Sequence, residues 1–98
     1  MKNPSAALVQ ELGLTYGQLR HGAKKGFEVV MFMETLGRRF RVHHLESREN
    51  DMLLATVSED QKSKRSHLLI HVGQAIWLFD VSEAGAEPTP IGFGPPSK

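Results

Sequence analysis

The chain has 98 residues, of which 40% are hydrophobic, with no cysteine and a formal net charge of +1. A chain of this length folds around one core, and the lack of cysteine excludes disulfides, thiolate zinc sites and cysteine nucleophiles. The first residues contain no apolar segment of signal-peptide type and no apolar run reaches the length of a membrane span, so we expect a cytoplasmic protein with no membrane partner.

The charges are distributed unevenly along the chain. Between residues 20 and 41, six basic residues stand against two acids, which gives this segment a local charge of +4. Between residues 46 and 60 the balance is acidic, with five acids against one arginine. This distribution predicts a domain with a basic front and an acidic flank.

The first predicted elements are two short helices separated by a glycine. Ser5 can cap a short helix over residues 6–12, and Gly13 suits the left-handed conformation that follows a last helical turn. Thr15 can cap a second helix over residues 16–25, although two internal glycines lower its helical propensity. The segment is therefore predicted as helix, turn and helix.

The next segment is rich in strand-forming residues. Residues 27–34 predict a strand, and Thr35-Leu36-Gly37 fits a three-residue hairpin loop with glycine at the position of positive φ. In that register Phe32 lies opposite Phe40 on the core face, whereas the other face carries arginines. We therefore predict a hairpin with one apolar and one basic side.

A charged segment separates this hairpin from a third apolar run. Residues 46–51 fit either a loop or a short helix, and residues 52–57 are interpreted as a linking strand, with a helix as the alternative. Residues 58–66 contain no apolar side chain, which favours a solvated loop.

A second hairpin is predicted around Gly73-Gln74. These two residues alone separate the apolar segments 67–72 and 75–81, and glycine at the first loop position is typical of a type II′ turn. In this hairpin His67 lies opposite Asp80. The face on which these two residues lie also carries apolar side chains that need a cover and could form an interface between two copies: Leu69, Ile76 and Leu78.

Alanine, glycine and proline dominate the end of the chain. This composition predicts a single α+β domain over residues 1–82 and a flexible tail over residues 83–98, from which Ile91 and Phe93 could still dock. The predicted domain is a short N-terminal helix-turn-helix followed by about five antiparallel strands, arranged as two hairpins and a linking strand.

A helix-turn-helix needs an apolar residue on each side of a glycine turn and an apolar anchor within the second helix. Four residues fill these roles here: Leu12, Gly13, Leu14 and Leu19. With Gly26 and Gly37 further along, residues 8–45 resemble the winged helix-turn-helix DNA-binding domain of MerR-type regulators and phage excisionases. In that family the second glycine closes the recognition helix and the third turns the wing.

The resemblance implies that the partner is duplex DNA and the protein a small transcription regulator or mobile-element accessory factor. The residues at or near the major groove would be Tyr16, Gln18, Arg20 and His21. The phosphate-binding residues would be Lys24, Lys25, Arg38, Arg39 and Arg41. A helical hairpin that merely packs on a sheet, with a solvated charged face, explains the same residues without DNA.

Metal binding and catalysis are not predicted. His67 and His71 lie four residues apart on a strand, without the ligand spacing of a metal site. Ser66 and His67 cannot form a triad with Asp80, because neighbouring strand residues face opposite sides. We expect no cofactor and no enzymatic activity.

The alternative to DNA binding is a protein-interaction or small-ligand-binding β module, which could form a homodimer through residues 67–81.

Overall fold

The computed structural model describes residues 3–59, 64–84 and 90–94. In these ranges one α-helix precedes six strands, which confirms the predicted α+β class. The elements are α1 (Pro4–Gly22), β1 (Phe27–Thr35), β2 (Arg38–Ser47), β3 (Met52–Ser58), β4 (Ser66–His71), β5 (Ile76–Glu83) and β6 (Gly92–Gly94). A 3₁₀ turn, Val72–Gln74, joins β4 to β5.

The helix begins two residues earlier than the sequence predicts. Asn3, rather than Ser5, is its N-cap, and the Asn3 side chain accepts hydrogen bonds from the backbone N–H groups of Ser5 and Ala6. Pro4 occupies the first turn, where the missing N–H of proline costs no intrahelical bond. These two features fix the start of α1.

The helix-turn-helix predicted around Gly13 is wrong, because α1 continues through this residue to Gly22. Val9, Leu12 and Tyr16 are buried on one side of α1, and their spacing of three and four residues forms an unbroken apolar stripe. Packing of this stripe offsets the roughly 1 kcal/mol that each helical glycine costs relative to alanine. No separate recognition helix exists within residues 4–22.

The sheet has the strand order β4-β3-β2-β1-β5, and each of these neighbouring pairs is antiparallel. The helix packs on β1 and β2, and the core lies between α1 and one face of the sheet. The strands contribute these buried side chains to it: Met31, Met33, Val42, Leu45, Leu53, Ala55, Val57 and Ile70. The prediction that residues 52–57 form a strand is confirmed by β3.

The first predicted hairpin is present with a shorter loop. Thr35 pairs with Arg38, which leaves only Leu36 and Gly37 in the loop. Both residues have positive φ, 54° and 72°, as a two-residue type I′ turn requires. The three-residue loop predicted from the position of the glycine is therefore wrong by one residue.

This difference exchanges the two faces of β1 relative to β2. Phe32 lies opposite Arg41 instead of Phe40, and Met33 lies opposite Phe40. Because side chains alternate along a strand, Met31 and Met33 enter the core, whereas Phe32 lies on the outer face with the arginines.

The predicted second hairpin is wrong, because its two strands lie on opposite edges of the sheet. β4 pairs with β3, and β5 pairs with β1. The intervening 3₁₀ turn is held by reciprocal bonds: the Gly73 N–H donates to Nδ1 of His71, and the His71 N–H donates to Oε1 of Gln74. The Thr35 hydroxyl also donates to the Gln74 carbonyl at 2.7 Å. These bonds direct the chain from β4 towards β1.

Part of the predicted tail belongs to the sheet. β5 extends to Glu83, and β6 pairs in parallel with β2 over residues 44–46. The β1–β2 pairing ends at Arg41 and a β-bulge follows between Val42 and His44, so β6 occupies the part of β2 that β1 leaves open. Residues 85–89 and 95–98 of the predicted tail, and residues 60–63 of the predicted loop, lie outside the described residues.

Candidate functional site

The residues predicted to contact DNA lie in two separate groups. One group lies on the last turns of α1 and in the loop before β1, and the other lies at the β1–β2 turn and along β2. β1 is a nine-residue strand, so its two ends are up to roughly 30 Å apart. The structure thus does not bring the predicted residues together on one front.

The first group forms what we call the basic helix end: Arg20, His21, Lys24 and Lys25. All four side chains are exposed, as is that of Gln18. Within the described residues none of the four forms an ion pair with a carboxylate. Their position at the C-terminal end of α1 also complements the negative end of the helix dipole, which is a purely structural role.

Tyr16 does not belong to this exposed surface. Its side chain is 7% exposed, and its hydroxyl accepts a hydrogen bond from the Ile91 N–H at 3.2 Å. Arg20 lies over the outer side of the Tyr16 ring, 5.5 Å from its centroid. The placement of Tyr16 leaves it no access to a DNA groove.

The second group is largely neutralised by neighbouring acids. Arg38 pairs with Glu59, and Arg39 pairs with Glu34 at 2.9 Å. Arg41 lies 3.8 Å from a carboxylate oxygen of Glu28 and is only 14% exposed. Pairing of this kind lowers the local positive field available to a phosphate backbone.

Two edges of the sheet are free in the described part of the chain. The strand β4 pairs with β3 on one side and the strand β5 pairs with β1 on one side, and neither has a second strand partner there. We refer to the outer sides of Ser66–His71 and Ile76–Glu83 as the β4 edge and the β5 edge. An edge strand presents unpaired N–H and C=O groups that can pair with a strand of another chain.

The predicted interface residues are divided between these edges. Leu69 lies on β4 opposite Leu54, whereas Ile76 and Leu78 lie on β5. Leu69 is 61% exposed and Ile76 is 63% exposed, and Leu78 is half-buried. The homodimer interface predicted for one face of a hairpin is therefore wrong in its geometry, but its apolar residues do flank two edges that have no second strand partner within residues 3–59, 64–84 and 90–94.

A serine–histidine pair that the sequence did not reveal lies between β2 and β3. Nε2 of His43 lies 2.6 Å from the hydroxyl oxygen of Ser58. Burial lowers the pKa of His43, and the nearby charges of Arg65 and Arg41 lower it further. Ser58 is only 3% exposed, so a substrate has no open path to its hydroxyl. His43 lies at the bulge of β2, between Val42 and His44, and a bulge of this kind has no signature in the sequence.

No group of three or more potential metal ligands is assembled by the side chains in residues 3–59, 64–84 and 90–94. The one helix described here is not apolar enough to cross a membrane.

No protein-family model, curated protein or solved structure matches the chain. Its function is inferred from the surfaces described above.

Proposed function

We propose that this chain is a non-enzymatic protein-interaction module that associates with further copies of itself through the free edges of its sheet. The observation that supports the proposal is the coincidence of strand edges that are unpaired among the described residues with exposed apolar side chains, Leu69 on the β4 edge and Ile76 on the β5 edge. Monomeric β proteins commonly protect such edges with charges, prolines or covering segments.

The energetics favour association at these places. Burying a leucine or isoleucine side chain gains about 1.5–3 kcal/mol relative to leaving it exposed. Each strand added to an edge also satisfies backbone groups along its length, which provides affinity without requiring a deep pocket. Leu69 lies near the middle of β4, so its contribution would fall at the centre of such an interface.

Sedimentation velocity over a wide range of protein concentration tests the proposal. The wild-type protein is expected to associate as its concentration rises, and Leu69→Lys is expected to weaken this association at least tenfold. Leu14→Lys is the matched control, because Leu14 is a similarly exposed leucine, at 55%, on the helix. A wild-type protein that remains monomeric at all concentrations would overturn the proposal.

The second candidate function is binding of duplex DNA through the basic helix end. It is favoured by the exposure of these four side chains and by their lack of described carboxylate partners. Clustered cations of this kind bind phosphates and release counterions. Contact would come from the end of α1, without the inserted second helix or the basic wing of the predicted mechanism.

Fluorescence anisotropy with a labelled duplex at low salt tests this second candidate. The double variant Lys24→Gln with Lys25→Gln should bind more weakly, and its salt dependence should decrease by about 2 in log–log slope. The matched control is Arg38→Gln with Arg39→Gln, which should have less effect because acids already pair with these arginines. If the wild-type protein does not bind the duplex at low salt, DNA binding is rejected.

A further inference from the structure

We infer that two copies pair antiparallel through their β4 edges, around a two-fold axis that passes between Leu69 of one copy and Leu69 of the other. This inference rests on the proposed self-association and names the edge and the register that carry it. It follows from the strand directions, the backbone hydrogen bonds and the side chains of the two edges.

The strand directions limit how two sheets can join. Each neighbouring pair in the order β4-β3-β2-β1-β5 is antiparallel, so β4 and β5 run in the same direction. A joint between β4 and β5 that keeps both core faces on one side would therefore be parallel, which is the slightly less stable kind of pairing. A two-fold axis normal to the sheet instead pairs an edge with its own counterpart. That joint is antiparallel and keeps both core faces on the same side.

The backbone groups that β4 directs away from β3 belong to its odd-numbered residues. The Val72 N–H donates to the Asp51 carbonyl at 2.8 Å, and in an antiparallel ladder the groups of successive residues point to opposite sides. The even-numbered residues of β4 therefore bond to β3, whereas the N–H and C=O groups of His67 and Leu69 point to the β4 edge. At His71 the N–H is already held by a side chain of the 3₁₀ turn, so a ladder to another copy ends there.

The two faces of β4 differ in their surroundings. Ile70 lies opposite the buried Leu53 of β3 and is itself 7% exposed, so it marks the core face. Leu68 shares that face and packs against the core. Leu69 points to the outer face, because successive side chains in a strand alternate, and it is 61% exposed.

The side chains select one register. With Leu69 of one copy opposite Leu69 of the other, these two residues exchange backbone hydrogen bonds, and on the core face Leu68 lies opposite Ile70 of the other copy. Both faces are then apolar at the centre of the joint. A slip of two residues is the smallest that keeps the core faces matched, and in either direction it sets Leu69 opposite a histidine.

The charges favour the β4 edge over the β5 edge. Residues 64–71 contain no acid, and Lys64 and Arg65 precede β4, so an antiparallel joint keeps these cations of the two copies at opposite ends. Asp80 instead lies in the middle of β5, on the outer face. The two β5–β5 registers with the greatest overlap set Asp80 opposite Leu78 or opposite the other Asp80. A charge in this position protects an edge from pairing.

The helix does not obstruct the β4 joint. α1 packs on β1 and β2, and β2 lies two strands from β4, which is about 10 Å at the usual strand spacing. The two helices would therefore lie well apart on one side of a continuous sheet. Because the joint uses the β4 edge of both copies, association stops at the dimer.

An engineered thiol tests the joint, since the chain has no cysteine of its own. In Leu69→Cys the two thiols face each other across the axis, with Cα atoms about 5.5 Å apart, which is within the range that a disulfide spans. A slip of two residues would separate these Cα atoms by about 8 Å, beyond that range. Oxidation with diamide should therefore link Leu69→Cys into dimers.

The matched controls place the thiol at other exposed apolar side chains: Leu14→Cys on α1, where Leu14 is 55% exposed, and Ile76→Cys on β5, where Ile76 is 63% exposed. Each rate of linking is divided by the rate at which iodoacetamide alkylates the same variant, so that differences in thiol reactivity do not enter. Leu69→Cys is expected to link at least tenfold faster than either control, and sedimentation velocity of the wild-type protein should show a monomer and a dimer.

The outcomes separate the two levels of the proposal. A wild-type protein that remains monomeric overturns the proposed self-association and the β4 joint with it. Wild-type association without preferential linking of Leu69→Cys overturns the β4 joint alone. Faster linking of Ile76→Cys would locate the joint at β5, and growth beyond the dimer would show an open assembly; either result likewise overturns the β4 joint.

Discussion

Phe93 of β6 packs against Tyr16 of α1, with 5.6 Å between the ring centroids and 47° between the ring planes. Phe93 also lies against Gly13, where the helix presents no side chain. This contact joins the C-terminal strand to the segment that the sequence assigned to DNA recognition. Both Gly13 and Tyr16 thus have a packing role in the fold.

Phe93→Ala is predicted to destabilise the protein by about 2 kcal/mol, which is less than the 3–5 kcal/mol typical of a fully buried phenylalanine because Phe93 is half-buried. Urea unfolding followed by Trp77 fluorescence measures the change. Leu14→Ala is the control, since Leu14 is exposed on α1 and its truncation should change stability by less than about 0.5 kcal/mol. An equal effect of the two substitutions would show that the Phe93 side chain adds nothing to stability.

Glycine is needed at position 92 because of the neighbouring histidine. A Cβ added there would lie 2.5 Å from Nδ1 of His44, whereas a Cβ added at Gly17 in the helix meets nothing within 4 Å. Gly92→Ala should therefore lower the free energy of unfolding by about 1–3 kcal/mol through overpacking. Gly17→Ala should raise it by up to about 1 kcal/mol, because alanine favours the helix.

Thermal unfolding of the two glycine variants beside wild type provides the measurement. A general effect of replacing glycine by alanine would change the stability of both variants in the same direction. Opposite changes would therefore show that the surroundings of each glycine determine the result. If Gly92→Ala were as stable as Gly17→Ala, the His44 ring would have to move away from β6 at little cost.

Leu36→Asn is predicted to stabilise the first hairpin by about 1 kcal/mol. Leu36 has φ of 54°, a conformation that costs an L-residue about 1–2 kcal/mol but that asparagine adopts more readily. The leucine side chain is 85% exposed, so its removal forfeits little packing. Urea unfolding should show the gain for Leu36→Asn and not for Leu36→Ala, which relieves no backbone strain.

The same residue explains why the hairpin could be predicted while its register could not. The run from Phe27 to Thr35 and the following glycine are local signals, and they indicate a strand and a turn correctly. The register depends on whether Leu36 accepts positive φ, which β-strand propensities do not report. A difference of one residue in the loop then exchanged Phe32 and Met33 between the core and the outer face.

The larger errors have a similar cause. Gly13 resembles a helix stop when only its neighbours are considered, but the burial of Val9, Leu12 and Tyr16 in one stripe stabilises a continuous helix. The segments on either side of Gly73 match the pattern of a hairpin, but each pairs with another strand instead: β4 pairs with β3, and β5 pairs with β1. Contacts with residues distant in the sequence determine the structure at both places, and a short stretch of sequence does not contain that information.

His43 is predicted to make stability depend on pH. Burial, assisted by Arg65 and Arg41, lowers the pKa of His43 below its usual value of 6.5 in the folded state. As the pH falls below 6.5, the unfolded chain therefore takes up a proton before the folded protein does, and the free energy of unfolding decreases. The contribution is fully present above the unfolded pKa and is lost as the pH falls towards the folded one.

Urea unfolding at about pH 7.5 and about pH 5.5 measures this effect, since the two values lie on either side of the unfolded pKa of histidine. Between these two pH values His43→Gln should lose less stability than wild type, because glutamine can still bond to Ser58 but does not titrate. Ser58→Ala is the discriminating control: it removes the 2.6 Å contact and retains the burial that is the largest cause of the shift, so it should keep the wild-type pH dependence. If Ser58→Ala abolished the pH dependence and His43→Gln retained it, the hydroxyl contact and not burial of the imidazole would control this site.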